Sequence, residues 1–374
     1  MEVLSTVLAF IAVLVILVLV HEVGHFVAAK LSGITVQEFG IGFPPRITSV
    51  VWRGTRYSLN WIPLGGFVKM LGEDGEGEAN KLRDRGLSEA AVERAMDGAF
   101  NRKPVVVRIA VLLAGVVMNF LLAGILFAVA LGMPVPQGRG PLTVTDIQPG
   151  SPAAQSLRVD DVIVAADGRS FEISSELTAY VRSRAGEEVE LTVLRGGSEI
   201  TVGVVPRQLT EAERLRGEGP VGFSYEPQAF VEVPSQVSGP VEAVGRGFSE
   251  AANLAWRIPG GLADAVGGLL GLNPNGNTAV GPIGIAEETG RMLEAPLVSQ
   301  LIFVGLLSVN LAVLNVLPFP PLDGGRILVV LVEALRRRRL PAEREALIYL
   351  TGFMVLIALV ILISIQDVQR LIEG

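Results

Sequence analysis

The chain has 374 residues, 50 % of them hydrophobic and 18 % charged, with a formal net charge of −7 and a mean hydropathy of +0.49. Its charges gather between long apolar segments, so it alternates between lipid and water, and no basic stripe beyond one short Arg run argues for nucleic acid. Cysteine is absent and histidine occurs only at positions 21 and 25, which excludes disulfides, thiolate metal sites and cysteine nucleophiles.

A helix needs roughly 20 apolar residues to cross about 30 Å of hydrocarbon. The first such window runs from Val3 to Leu31; Val7 to Val20 is wholly apolar, and "HEVGH" follows at His21 to His25. With no basic n-region and no small-residue cleavage site after the apolar run, this segment is expected to be a span rather than a removed signal peptide. Glu38 to Met70 mixes β-branched and aromatic residues with Gly and Pro, which predicts short strands. The charged stretch from Glu73 to Lys103 reads as a solvated connector with a helix over Ser88 to Phe100. A second span covers Val105 to Met133, with Arg108 near one end and Asn119 inside it.

Leu142 to Arg207 alternates strand-like runs with Pro-Gly and Asp-Gly turns. From Val241 to Pro296 the chain is rich in Gly and Ala, and Phe248, Leu254, Trp256 and Ile258 recur at roughly helical spacing. That pattern predicts an interfacial helix on the outer leaflet. A third span begins at Leu297, carries Ser308, Asn310 and Asn315, and breaks at Pro318, Pro320 and Pro321 before "LDGGRILVVLVEAL" resumes. The fourth covers Ala346 to Ile365.

Lys30, Arg46, Arg102 and Lys103 border the loop between spans one and two, and Arg336 to Arg339 lie between the last two. The positive-inside rule makes both loops cytoplasmic, which puts both termini and the segment 134–296 outside.

His21-Glu22-Val23-Gly24-His25 is H-E-x-x-H. Four residues apart on a helix, the two imidazoles share a face and can reach one ion, while Glu22 beside them can take a proton from water. Zinc suits nitrogen and oxygen donors, and a catalytic site keeps one position open. Ionisable side chains inside a membrane segment are functional by default, because burying them unpaired is costly. Three protein ligands are usual and no third histidine exists, so a carboxylate is expected. Glu2 and Asp367 lie at outer ends, and Glu333 lies toward the Arg cluster. Asp323 follows the break in span three at the cytoplasmic depth of the two histidines. Pro and Gly break helices in lipid only where protein or a water-filled cavity satisfies the backbone, so a polar pocket is expected there. Asn119, Asn310 and Asn315 could line it; for Asn119 and Asn310, helix–helix bonding is an equal reading.

These residues resemble the site-2 protease family of intramembrane zinc metalloproteases, in particular its bacterial regulator of sigma-E protease group. The resemblance rests on "HEVGHF" (21–26), "FNRKPVVVRIAVLLAGVVMNF" (100–120), "VGPIGIA" (280–286) and "SVNLAVLNVLPFPPLDGGRIL" (308–328). It implies Zn²⁺ held by His21, His25 and Asp323, Glu22 as the catalytic residue, and Asn315 as a residue that handles substrate. It also implies a membrane-associated β element in 38–70, which could hold an unwound substrate by strand addition. Val116 stands where many relatives have proline. Residues 142–207 resemble a PDZ domain through "PGSPA", "DDVIVAADG" and a closing hairpin at Gly196 and Gly197, with Asp160 where that pattern often has glycine. The chain has room for one such domain where some relatives carry two.

The expected fold class is a polytopic α-helical membrane protein of about four transmembrane helices, with a membrane-associated β-hairpin or sheet and one extracytoplasmic PDZ-like α+β domain. Its parts are 1–133 (spans one and two with the β-rich loop), 134–225 (PDZ-like), 226–296 (outer connector) and 297–374 (last two spans). The expected function is hydrolysis of peptide bonds within or beside transmembrane segments, in the inner membrane of a bacterium. The resemblance implies single-pass membrane substrates such as anti-sigma factors or remnant signal peptides, already cut by an outer-side protease. Two rivals stand beside it. One is a noncatalytic PDZ adaptor with a structural zinc, against which Glu22 counts, since a structural site needs no general base. The other is a metal transporter, which predicts internal repeats or several acidic spans that the sequence lacks.

Overall fold

A computed structural model describes residues 2–73, 77–209, 219–235, 237–269 and 280–373. In chain order its elements begin with α1 (Glu2–Leu31), β1 (Val36–Trp52), β2 (Thr55–Met70), α2 (Gly77–Asp84), α3 (Glu89–Ala95) and α4 (Val105–Gly132). There follow β3 (Val135–Ile147), β4 (Val162–Ala166), α5 (Ser174–Ser183), β5 (Val189–Arg195), β6 (Ser198–Val204) and β7 (Phe223–Val233). The last five helices are α6 (Pro240–Leu269), α7 (Pro282–Glu294), α8 (Leu297–Val316), α9 (Asp323–Arg336) and α10 (Ala342–Glu373). They divide into two compact units, Met1–Gly132 with Val237–Gly374, and Met133–Gln236.

In the helical unit, α1, α4, α8 and α10 are long and apolar enough to cross a membrane, over Val3–Leu31, Val105–Gly132, Leu297–Val316 and Glu343–Gln369. Their lengths follow from uninterrupted apolar sequence, which lets every backbone group bond within its own helix. Helix α4 lies at the centre, against α1, α6, α8 and α9. Small residues set these close approaches, as is usual between helices in lipid. A Cβ on Gly24 would stand 2.4 Å from the Ala114 carbonyl oxygen, and one on Gly247 would stand 2.6 Å from that of Gly124. Helix α6, expected on the outer leaflet, packs along α4 and α8; its Ala251 is fully buried with Ala123, Phe127 and Val309, while Trp256 is exposed.

The strands of 36–70 are longer than the short ones expected, because bulges let each bend and continue rather than stop. Arg53 and Gly54, both with positive φ, make the tight turn between β1 and β2. Glu38 to Ile41 pairs on one side with Arg56 to Leu59 and on the other with Gly66 to Lys69. Gly66 to Lys69 therefore forms an outer edge of this sheet, and no second strand pairs with it among the described residues. The helix expected over 88–100 ends at Ala95: Gly98 turns the chain at φ +78°, and a short 3₁₀ turn, Phe100–Arg102, follows.

The second unit is a five-stranded antiparallel sheet in the order β6-β5-β4-β3-β7, with α5 beside it. Alternate residues of its strands, including Leu142, Val144, Ile163, Leu191, Val193 and Val204, form its core with Leu177 and Val181 of α5. The boundary read at 225 falls inside β7, which pairs with β3 from Phe223 to Val233. Gly196 and Gly197 make the expected hairpin turn between β5 and β6. Asp160 adopts φ +71°, the left-handed conformation that explains the resemblance to a glycine position. Buried Asp161 accepts two hydrogen bonds of 2.7 Å from Arg195 and one of 2.8 Å from the Arg158 amide. The Arg195 hydrogen bonds hold its carboxyl below the usual carboxylate range.

Candidate metal centre

His21 and His25 lie one turn apart on α1, and their rings meet edge to face with centroids 4.7 Å apart. Both are 6 % exposed. Asp323 comes from the other end of the sequence as the first residue of α9, where a carboxylate favours the positive end of the helix dipole. Its position depends on the break after α8. A Cβ on Gly324 would stand 2.1 Å from the Val316 carbonyl oxygen, so only glycine lets α9 start this close to the end of α8. The His21 Nε2 atom lies 2.9 Å from Asp323 Oδ2, and His25 Nε2 lies 3.2 Å from the same oxygen. The two Nε2 atoms are 3.0 Å apart.

Two imidazole nitrogens and one carboxylate oxygen thus converge on one point. Donors about 2.0–2.1 Å from a shared ion in tetrahedral array lie roughly 3.3–3.4 Å from each other, so the observed triangle fits zinc after small adjustment. His25 donates its Nδ1 proton to the Val111 carbonyl at 2.8 Å, which leaves its Nε2 lone pair toward Asp323. Among the described residues, His21, His25 and Asp323 are the one such cluster of potential metal-ligating side chains. The other carboxylates considered have different partners. Glu333 pairs with Arg108 at 2.9 Å and accepts from the Leu340 amide at 3.0 Å. Asp367 accepts from the amides of Gly281 at 3.1 Å and Gly284 at 3.0 Å, at the start of α7.

Glu22 is half-buried beside the triangle on α1. The edge segment of β2 passes it closely: a Cβ on Gly66 would stand 3.5 Å from Glu22 Cγ, and one on Gly65 would stand 3.3 Å from Val18. Asn315 is half-buried in the last turn of α8, before the Pro-rich break. Asn310 turns back on its own helix, donating to the Leu306 carbonyl at 3.0 Å. Asn119 is fully buried, and its side chain meets His21 Nδ1 at 3.4 Å.

Two neighbours of the site escaped the sequence reading. Gly115 faces both rings, since a Cβ there would stand 2.5 Å from His25 Nε2 and 2.8 Å from His21 Nε2. Gly66 carries the strand past Glu22. The spacing of Val111, Gly115 and Asn119, four apart along α4, was the available signal, but an apolar helix hides which of its faces meets a partner.

The model of Peptidase family M50 matches residues 9–359. A Clostridium perfringens protein that bears a zinc-metalloprotease name is 34 % identical, with 98 % of each chain covered. The zinc metalloprotease RasP of Geobacillus kaustophilus is 29 % identical, with 99 % of each chain covered. Among solved structures, the PDZ domain of an SdrC-like protein from Listeria monocytogenes aligns at 22 % identity with a TM-score of 0.20, covering 22 % of this chain and 85 % of that one. The chain belongs to peptidase family M50, the site-2 protease family, and is a multi-pass membrane protein and zinc metalloendopeptidase.

Proposed function

We propose that this enzyme hydrolyses peptide bonds within or beside transmembrane segments of other membrane proteins, with His21, His25 and Asp323 as the zinc ligands and Glu22 as the general base. The observation that carries this reading is the triangle of donor atoms, 2.9–3.2 Å on a side, set among helices long enough to span a bilayer. When bound, the ion lowers the pKa of water and polarises a carbonyl oxygen. Glu22 takes the proton of the attacking water and passes it to the leaving amine, which divides one difficult step into two proton transfers.

A bond inside a helix is hydrogen-bonded and shielded, so the substrate is unwound before attack. The outer edge at Gly66 to Lys69 offers unpaired backbone groups beside Glu22 and holds the unwound segment as an added strand. Asn315, ahead of the break that delivers Asp323, contacts that segment. The cytoplasmic placement of the loops rich in Lys and Arg puts the metal centre in the inner half of the membrane and the five-stranded unit outside. There the unit meets the outer remnant of a substrate that another protease has trimmed, such as an anti-sigma factor or a signal-peptide remnant. Its β7 is an edge strand, the feature by which a PDZ-like module takes a chain end.

The test is cleavage of a model transmembrane substrate in detergent by wild type and Glu22→Gln, with zinc content measured in both. The expected result is equal zinc and loss of cleavage in the variant. Equal processing by both proteins removes Glu22 from the mechanism.

A further inference from the structure

Helix α4 meets both imidazoles along one stripe: Val111 and Asn119 stand at the Nδ1 edges, away from Asp323, and Gly115 faces the two Nε2 atoms. At His25 the outcome is fixed by chemistry. A backbone carbonyl only accepts, so the Val111 oxygen at 2.8 Å holds the proton on Nδ1 and leaves Nε2 free to bind a metal. At His21 the corresponding group is the Asn119 side chain, whose amide offers a donor and an acceptor. The amide nitrogen stands at His21 Nδ1, 3.4 Å away, and this arrangement suits a His21 protonated on Nε2, where it donates to Asp323 Oδ2 at 2.9 Å. That tautomer has no Nε2 lone pair for a metal.

The Asn119 Oδ1 atom, meanwhile, is buried without a hydrogen-bond partner among the described residues. A half-turn of the amide sacrifices no bond at Oδ1 and presents the oxygen to His21 Nδ1. The helix backbone beneath is held for this, because Ser308 of α8 donates its hydroxyl to the Asn119 carbonyl at 2.8 Å. We infer that Asn119 is a positioning residue for the metal centre: its side-chain oxygen accepts the Nδ1 proton of His21 in the metal-bound state and fixes the tautomer in which Nε2 is a ligand. Asn119 and the Val111 carbonyl then perform one task on the two rings. The inference rests on His21, His25 and Asp323 being the zinc ligands.

The test compares zinc dissociation constants by chelator competition in detergent for wild type, Asn119→Leu, Asn119→Asp and Asp323→Asn, with thermal unfolding recorded for each. Leucine keeps the volume and removes the acceptor. It is expected to weaken zinc 10- to 100-fold, the usual range for losing the outer partner of a ligating histidine. Aspartate keeps an acceptor at the same place and is expected to retain wild-type zinc affinity or exceed it, in the manner of carboxylate–histidine–zinc triads. Wild-type affinity in Asn119→Leu, or equal weakening in both Asn119 variants, overturns the inference and leaves Asn119 as a packing residue. Should the leucine variant not fold, the aspartate variant decides: retained affinity supports the acceptor role, and weakened affinity refutes it. Undiminished zinc in Asp323→Asn, by contrast, overturns the ligand assignment itself.

Discussion

Gly115→Ala adds one methyl group to α4 and replaces no charged or metal-ligating side chain, yet it is expected to disable the metal centre. The added carbon would stand 2.5 Å from His25 Nε2, 2.7 Å from His21 Cε1 and 2.8 Å from His21 Nε2. Ordinary carbon contacts begin near 3.5 Å, so the rings must withdraw by roughly 0.7–1 Å. They have little room, since His25 Nδ1 is tied to the Val111 carbonyl and both rings are 6 % exposed. Forcing a methyl into a packed interior typically costs about 1–3 kcal/mol, so the variant should still fold. Zinc–ligand distances tolerate only about 0.2 Å, so a displacement several times larger must break the coordination of at least one imidazole. Zinc affinity measured by chelator competition should fall at least 100-fold, and proteolysis of a membrane substrate should fall with it. A variant that binds zinc and cleaves as wild type does would refute the packing of Gly115 against both histidines.

Two further predictions test the strand edge and the second unit. Gly66→Val places a branched side chain against Gly40 and Glu22, so it should keep one zinc per chain while cleavage falls about 100-fold through misplacement of substrate; undiminished cleavage would count against substrate pairing with β2. Asp161 has a folded pKa lowered by Arg195, so its ion pair stabilises the five-stranded unit above the unfolded value of about 3.9, and that contribution is lost as pH falls through the lower folded value. Asp161→Asn should therefore destabilise the unit by about 1–3 kcal/mol at pH 7, with the difference from wild type shrinking below about pH 4. Hydrogen exchange of β4 and β5 in the full chain reads this directly; a gap that is constant from pH 7 to 3 would contradict it.

The apolar helices were legible because hydropathy acts over whole segments, and a long uninterrupted apolar segment in lipid satisfies its own backbone only as a helix. The pairing of His21 with His25 follows from the same local geometry, since four residues make one turn. Asp323 needed an argument of depth, because nothing local ties it to α1. The β-rich segment was legible as strands but its length was not: each bulge in β1 and β2 depends on its cross-strand neighbours, which composition does not reveal. The helix expected over 88–100 stops at Ala95, because Gly98 takes a left-handed turn that an amphipathic charge pattern does not announce. At Asn119 the sequence left two readings equal, lining a polar pocket and bonding between helices, since both are the same letter in an apolar run. Only the facing of α4 toward α1 separates them.

The most direct measurement for the ligand set is the zinc K-edge absorption spectrum of the purified full chain and of Asp323→Asn in detergent. The wild-type first shell should contain two imidazole nitrogens and carboxylate or water oxygen at about 2.0–2.2 Å, and the variant should show lost or reordered zinc. A first shell without imidazole, or a spectrum unchanged by Asp323→Asn, would contradict the assignment of His21, His25 and Asp323 as the metal centre.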